Sequence, residues 1–178
     1  MTCTGIIGPP GTGKTLYLTM IGNIDFVSKR RIISNYDLSF EHTKVDIYGL
    51  LDVINEDSTE PTTVLIQEAS KWFDSRRSMR IENTVLSSLT GQQRKREMDI
   101  YYDDQFVTRI DSGLRDITNF SFVSNCVYFN EKPMIFEYEK YYGYFRAPTN
   151  KTIRFPALYM EQYMSMFNTK ETTAPLVK

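Results

Sequence analysis

The segment Gly8-Pro9-Pro10-Gly11-Thr12-Gly13-Lys14-Thr15 constrains this chain more than any other feature. It satisfies G-x-x-x-x-G-K-[ST] at every fixed position. Thr4-Gly5-Ile6-Ile7 before it has strand character, and Leu16-Tyr17-Leu18-Thr19-Met20-Ile21 after it has helix-compatible apolar spacing. Glycines in such a turn let successive backbone N–H groups point inward as an anion nest, and the following helix directs its positive dipole end at the same spot. A nucleoside triphosphate fits that charge pattern. Gly8, Pro9, Pro10, Gly11, Thr12, Gly13, Lys14 and Thr15 are therefore the candidate nucleotide-binding residues. Lys14 is expected to reach the β- and γ-phosphate oxygens, and the Thr15 hydroxyl to supply a ligand to Mg²⁺, so ATP and Mg²⁺ are the expected cofactors.

At 178 residues the chain suits one domain with one core. Hydrophobic residues at 41% and charged residues at 24% exclude whole-chain disorder, a collagen and a coiled coil. The 21 Lys and Arg nearly cancel the 22 Asp and Glu, so any contact with nucleic acid must come from local basic clusters. Cys3 and Cys126 are too few for a disulfide framework or a zinc site and read as small buried hydrophobes in a reducing compartment. No apolar run reaches the length of a membrane span and no secretory leader is evident, so a cytoplasmic protein is expected.

Further along, Arg31 to Tyr36 reads as a strand and Ile47 to Ile54 as a short helix. Thr62-Thr63-Val64-Leu65-Ile66-Gln67-Glu68 is a continuous apolar strand with a polar end, the signature of a parallel strand buried on both faces. Reactive groups in open α/β sheets lie at the carboxyl ends of strands, which puts Gln67 and Glu68 on the rim of the phosphate loop. Glu68 is the candidate general base. Gln67 stands where a hydrolase of this kind usually has the Asp that steers Mg²⁺ through water. An amide accepts a hydrogen bond from a metal-bound water but brings no charge, which predicts weakened metal binding and turnover.

A helix is expected from about Glu82 to Arg96, with Val85, Leu86 and Leu89 on one face, followed by a strand from Met98 to Gln105. Gln105 then lands on the same rim as a candidate γ-phosphate sensor. Basic residues cluster at Lys29 to Arg31, at Arg76, Arg77 and Arg80, and at Arg94 to Arg96. An arginine offered to a neighbouring subunit's γ-phosphate raises turnover by roughly 10³ to 10⁵. Arg94, Arg96 and Arg115 are the candidates, and the same clusters could track nucleic-acid phosphates without reading bases.

These residues, together with Trp72, Gln92-Gln93-Arg94, Asp99-Ile100, Ile110-Asp111 and Leu114-Arg115 in that order, give the chain a resemblance to the zonula occludens toxin-like ATPases. That family lies within the FtsK/HerA group of P-loop ATPases, alongside filamentous-phage assembly proteins and viral genome-packaging ATPases. The resemblance spans roughly residues 4 to 118, and only the phosphate loop is highly specific. It implies an α/β, RecA-like P-loop NTPase fold with a mainly parallel central sheet flanked by helices, a homo-oligomeric ring, and ATP-driven translocation of DNA. Lys14 and Thr15 look like the nucleotide and metal residues, Glu68 like the catalytic glutamate and Gln105 like the polar sensor. Gln67 departs from the family's Asp. The absence of a membrane helix after residue 118 favours a packaging motor in the host cytoplasm or on the virion, with a virion or portal protein as partner, over a membrane-anchored extrusion protein.

In the last third, Ser121 to Asn130 and Met134 to Arg146 read as a β-hairpin, and Pro156 to Phe167 as a helix packed on the sheet edge, with a loose tail after Asn168. Tyr138, Tyr141, Tyr142, Tyr144 and Phe145 could stack on single-stranded bases, although strand packing uses the same residues. Lone His42 forms no acid/base or metal constellation. Two other functions fit the phosphate loop: a nucleotide-binding switch or scaffold that hydrolyses slowly because of Gln67, and a small-molecule kinase, for which no arginine-rich lid is evident.

Overall fold

The computed structural model describes residues 2–74, 80–92 and 97–168. Strand β1 (Cys3–Ile7) is buried along its whole length and runs into the glycine-rich turn and helix α1 (Lys14–Val27). Strand β2 (Arg31–Ser34), a two-residue β3 (Thr43–Lys44) and α2 (Ile47–Asn55) follow. The Asp46 side chain caps α2 by accepting from Gly49 N at 2.8 Å, satisfying one of the amides a helix start leaves open. Strand β4 (Thr62–Ile66) is buried at all five positions, as an apolar run flanked by sheet neighbours and covered on both faces must be. Then come α3 (Arg80–Gln92), β5 (Met98–Asp104), a short α4 (Ser112–Ile117) capped by Asp111, strands β6 (Phe120–Phe129), β7 (Lys132–Tyr142) and β8 (Ala147–Pro156), and α5 (Ala157–Met164).

All eight strands form one sheet in the order β3-β2-β4-β5-β1-β6-β7-β8. The six from β3 to β6 are parallel, and β7 and β8 are antiparallel additions. This is the mainly parallel, helix-flanked sheet of a RecA-like P-loop NTPase, as the motif requires. Successive strand residues serve opposite faces. Ile33, Val64, Ile66 and Ile100 pack with Leu50, Ile54, Val85 and Leu89 of α2 and α3 on one face. Ile32 and Leu65 pack with Leu16, Leu18 and Met20 of α1 and Met160 of α5 on the other. Each such side chain removed from water contributes about 1.5–3 kcal/mol.

Expected and observed elements differ most at the end of the chain. The hairpin forms, but its first arm pairs in parallel with β1, Thr4 opposite Phe120, so it continues the central sheet. Its second arm stops at Tyr142, and β8 follows as a third strand that the sequence reading left out. Strand β8 is largely exposed and polar, carries Pro148 and Pro156, and forms the sheet edge, so it lacks the apolar alternation by which strands are recognised. Tyr138 is buried and stacks on Tyr17 of α1, with ring centroids 4.2 Å apart, which commits this ring to the core. The expected ends of α3 at 93–96 and the loose tail at 169–178 lie outside the described residues.

Candidate active site

Strand β1 sits between β5 and β6, and those neighbours shape the loop that leaves it. Gly8 N extends the ladder by donating to Asp104 O at 3.2 Å. Gly13, with φ of 81°, forms the N-terminal boundary of α1 in the left-handed region, where a glycine pays no Cβ penalty. A Cβ there would also lie 2.6 Å from Phe136 and 2.9 Å from the Tyr138 hydroxyl. The wall behind the loop is thus made by the C-terminal hairpin. Tyr138 Oη donates to Gly13 O at 2.9 Å, Tyr128 Oη to Gly11 O at 3.1 Å, and Ser124 Oγ lies 2.7 Å from Thr12 Oγ1. With the carbonyls engaged from behind, the loop is held in its turned conformation.

Lys14 Nζ donates to Pro9 O at 2.8 Å across the loop. Burial pushes the Lys14 pKa down, and the carboxylates of Asp103, Asp104 and Glu68 push it back up. Beside Lys14, Thr15 Oγ1 donates to Asp103 Oδ2 at 2.7 Å. The other oxygen of that carboxylate, Oδ1, accepts from Glu68 N at 2.8 Å. One buried carboxylate therefore joins the phosphate loop to Glu68, two residues past the end of β4. Burial raises the Asp103 pKa to about 6, against the hydrogen bonds from Glu68 N and Thr15 and the charge of Lys14.

Glu68 has φ of 52°, an uncommon conformation for a residue with a side chain and one that concentrates at functional sites. Its carboxylate pairs with Lys71 in the short 3₁₀ turn Ala69–Lys71. The turn itself is braced by Asp104, whose Oδ2 accepts from Ser70 N at 2.7 Å, while its Oδ1 accepts from Phe106 N at 3.0 Å in the segment after β5. Gln67 is held by its main chain: Asn35 accepts from Gln67 N at 2.7 Å and donates to Gln67 O at 2.9 Å. Its amide nitrogen is 3.4 Å from Thr15 Oγ1, and its Oε1 is buried with no hydrogen-bond partner among the described residues.

Gln105 is exposed at the end of β5 and lines, with Glu68, a cavity of about 120 Å³. Arg109 closes that cavity and stacks over Phe106, 4.0 Å from the ring centroid. Arg115 lies in the last turn of α4, its guanidinium 5.9 Å from the Tyr144 ring and its Nε buried without a hydrogen-bond partner among the described residues. Arg94 and Arg96 lie outside the described residues. A larger cavity, about 350 Å³, opens beside Gly11, Gly13, Lys14, Thr15 and Gln67 and is walled by Leu16, Phe136, Met164 and Phe167.

Thr15 and Asp103 bring a hydroxyl and a carboxylate to the loop side, and Gln67 adds its Oε1 acceptor next to its amide nitrogen, so the oxygens present suit a hard cation such as Mg²⁺. Among the described residues, no group of three His, Cys, Asp or Glu side chains forms a metal cage. Mg²⁺ ordinarily keeps several waters and takes further ligands from substrate phosphates. The orphaned Gln67 Oε1 is an acceptor available to such a water. The sequence reading named Thr15 and Gln67 here and missed Asp103, Asn35, Ser124, Tyr128 and Tyr138. Two consecutive Asp residues at a strand end were the available signal for Asp103.

The chain belongs to the ATPase family associated with various cellular activities (AAA), whose model matches residues 5–121. No curated protein matches it in sequence. In structure it is similar to the N-terminal domain of zonular occludens toxin from Neisseria meningitidis, at 14% identity and a TM-score of 0.66, over 94% of this chain and 98% of that one. It is also similar to the genome packaging NTPase B204 of Sulfolobus turreted icosahedral virus 2, solved in complex with AMP, at 11% identity and a TM-score of 0.58, over 86% and 96%. The flagellar accessory protein FlaH from Methanocaldococcus jannaschii matches at 10% identity and a TM-score of 0.59, over 87% and 84%. At these identities the likeness is one of fold. Among the described residues, no helix is long and apolar enough to cross a membrane.

Proposed function

We propose that this chain binds ATP with Mg²⁺ and hydrolyses it, working as an oligomeric motor in viral DNA packaging or virion assembly. The observation that carries the reading is the Asp103 carboxylate, which ties Thr15 of the phosphate loop to the backbone of Glu68. Binding residue and candidate base thus share one rim. The loop amides from Gly8 to Thr15 and the Lys14 ammonium hold the phosphates, and the apolar cavity walled by Phe136, Met164 and Phe167 accepts the base. Thr15 would hold Mg²⁺ directly and Gln67 through a water. When bound, the ion supplies charge neutralisation between the β- and γ-phosphates. A Glu68 carboxylate oxygen takes the proton of the attacking water, and Gln105 senses the γ-phosphate. Arg94, Arg96 and Arg115 remain the candidates for action across a subunit boundary in a ring.

The packaging role rests on the resemblance and on the fold shared with the viral NTPase. It implies a homo-oligomer that contacts DNA through phosphates, a virion or portal protein as partner, and a place in the host cytoplasm or on the virion. A second reading, a nucleotide-dependent switch or scaffold with slow turnover, is favoured by the neutral Gln67 and by the Lys71 ammonium on the Glu68 carboxylate. Steady-state ATP hydrolysis with and without DNA separates the two. Stimulation by DNA, together with a nucleotide-dependent increase in particle size, supports the motor. Binding without turnover supports the switch, and a strict monomer unresponsive to DNA contradicts the motor.

A further inference from the structure

The acidic residue that such a site needs beside its metal is missing from β4, where Gln67 follows the last paired residue. In the register of the sheet, Ile66 of β4 lies opposite Tyr102 of β5. One step further along each chain, Gln67 and Asp103 are therefore neighbours across adjacent parallel strands. Strand β5 also borders the loop-bearing β1, with Ile6 opposite Asp103. A carboxylate at 103 is consequently one strand nearer the loop than one at 67, and its Oδ2 accepts the Thr15 hydroxyl hydrogen at 2.7 Å. Gln67 addresses the same hydroxyl with its amide nitrogen and keeps an Oε1 that has no hydrogen-bond partner among the described residues.

We infer that the missing charge has moved one strand across: Asp103 is the carboxylate that orients the Mg²⁺ waters next to Thr15, and Gln67 assists it as a neutral acceptor. The inference rests on the nucleotide reading above. Asp103 is 1% exposed, with its second oxygen committed to Glu68 N, so its orientation is fixed by both ends. Its sequence neighbour does other work: one Asp104 oxygen accepts from Ser70 N in the turn after Glu68, and the other accepts from Phe106 N just past Gln105. In this role Asp103 is a positioning residue, acting on the ion through water and through Thr15. Partners of this kind typically change metal affinity 10–100-fold on mutation.

The test measures the affinity of a fluorescent ATP analogue in EDTA and again in saturating Mg²⁺, for the full chain and its variants. Asp103→Asn retains an oxygen to accept from Glu68 N. Its affinity in EDTA serves as its own reference, and the tightening that Mg²⁺ produces over that reference is expected to be at least about tenfold smaller than in the unmodified chain. Adding Gln67→Asp to Asp103→Asn, which returns a carboxylate to β4, is expected to recover part of the Mg²⁺ effect. An Asp103→Asn protein with undiminished Mg²⁺ tightening, including one weakened equally in EDTA and Mg²⁺, overturns the inference and leaves the nucleotide reading standing. Failure of the unmodified chain to bind the analogue under either condition overturns both. Independently of any variant's folding, the Asp103 carboxyl carbon resonance of the nucleotide-bound chain is expected to shift on addition of Mg²⁺; a resonance that stays in place overturns the inference.

Discussion

The hydroxyl of Tyr138, on the second arm of the C-terminal hairpin, donates to the carbonyl oxygen of Gly13 at the mouth of helix α1, 125 residues earlier in the chain. The ring is fully buried and stacked on Tyr17, so hydroxyl and loop are held in register by core packing. The end of the chain thus supports the phosphate loop from behind, and loop geometry becomes a tertiary property.

Replacing Tyr138 with Phe keeps the stack and deletes the hydrogen bond. A net loss of about 0.5–1.5 kcal/mol in unfolding free energy is expected, since the Gly13 carbonyl loses one partner. Nucleotide affinity is expected to fall several-fold through a less ordered loop. Chemical denaturation and a binding titration check the two effects separately, and a variant with native stability and affinity would show that the stack alone positions the loop.

Glu68→Gln is expected to leave ATP binding within a few-fold of the unmodified chain while reducing hydrolysis at least about a hundredfold, the usual scale of a lost general base. The amide cannot accept the proton of the attacking water, while the loop contacts are unaffected. Rapid-quench turnover alongside a binding titration reads both quantities. Undiminished hydrolysis would mean that another group activates the water.

Cys3 is fully buried in β1, its Sγ near the Thr118 hydroxyl, and burial pushes its pKa up to about 12. At pH 8 about one molecule in 10⁴ would carry the thiolate. Alkylation by iodoacetamide is expected to be negligible at Cys3 in the native chain and rapid after denaturation, with mass spectrometry as the readout. The reactive form grows as pH rises toward 12, so raising pH within the native range speeds labelling from a very low base. Fast native labelling of Cys3 at pH 8 would contradict the burial of β1.

Much of the fold is legible from residues 4–36 and 62–104, because a phosphate loop between an apolar strand and a helix, followed by continuous apolar strands, admits few architectures. The place of Glu68 past the end of β4 was readable for the same reason: a strand's carboxyl end is a place that sequence specifies. Asp103 was not, because its role depends on register. Nothing local to Met98–Asp104 says that this strand inserts between β4 and β1, which is what carries the carboxylate to Thr15. The hairpin's function was hidden likewise. Tyr138 carries the signature of any strand aromatic, and only the docking of β6 against β1 reveals that it reaches Gly13. Strand β8 escaped because an edge needs no apolar face.

Calorimetric titration of ATP with Mg²⁺ into the unmodified chain and into Lys14→Ala tests the central claim most directly. Saturable binding by the unmodified chain, weakened at least about tenfold by loss of the Lys14 ammonium, is the predicted result. Equal affinity in the two proteins, with Lys14→Ala folded by circular dichroism, would contradict a nucleotide held by the loop from Gly8 to Thr15.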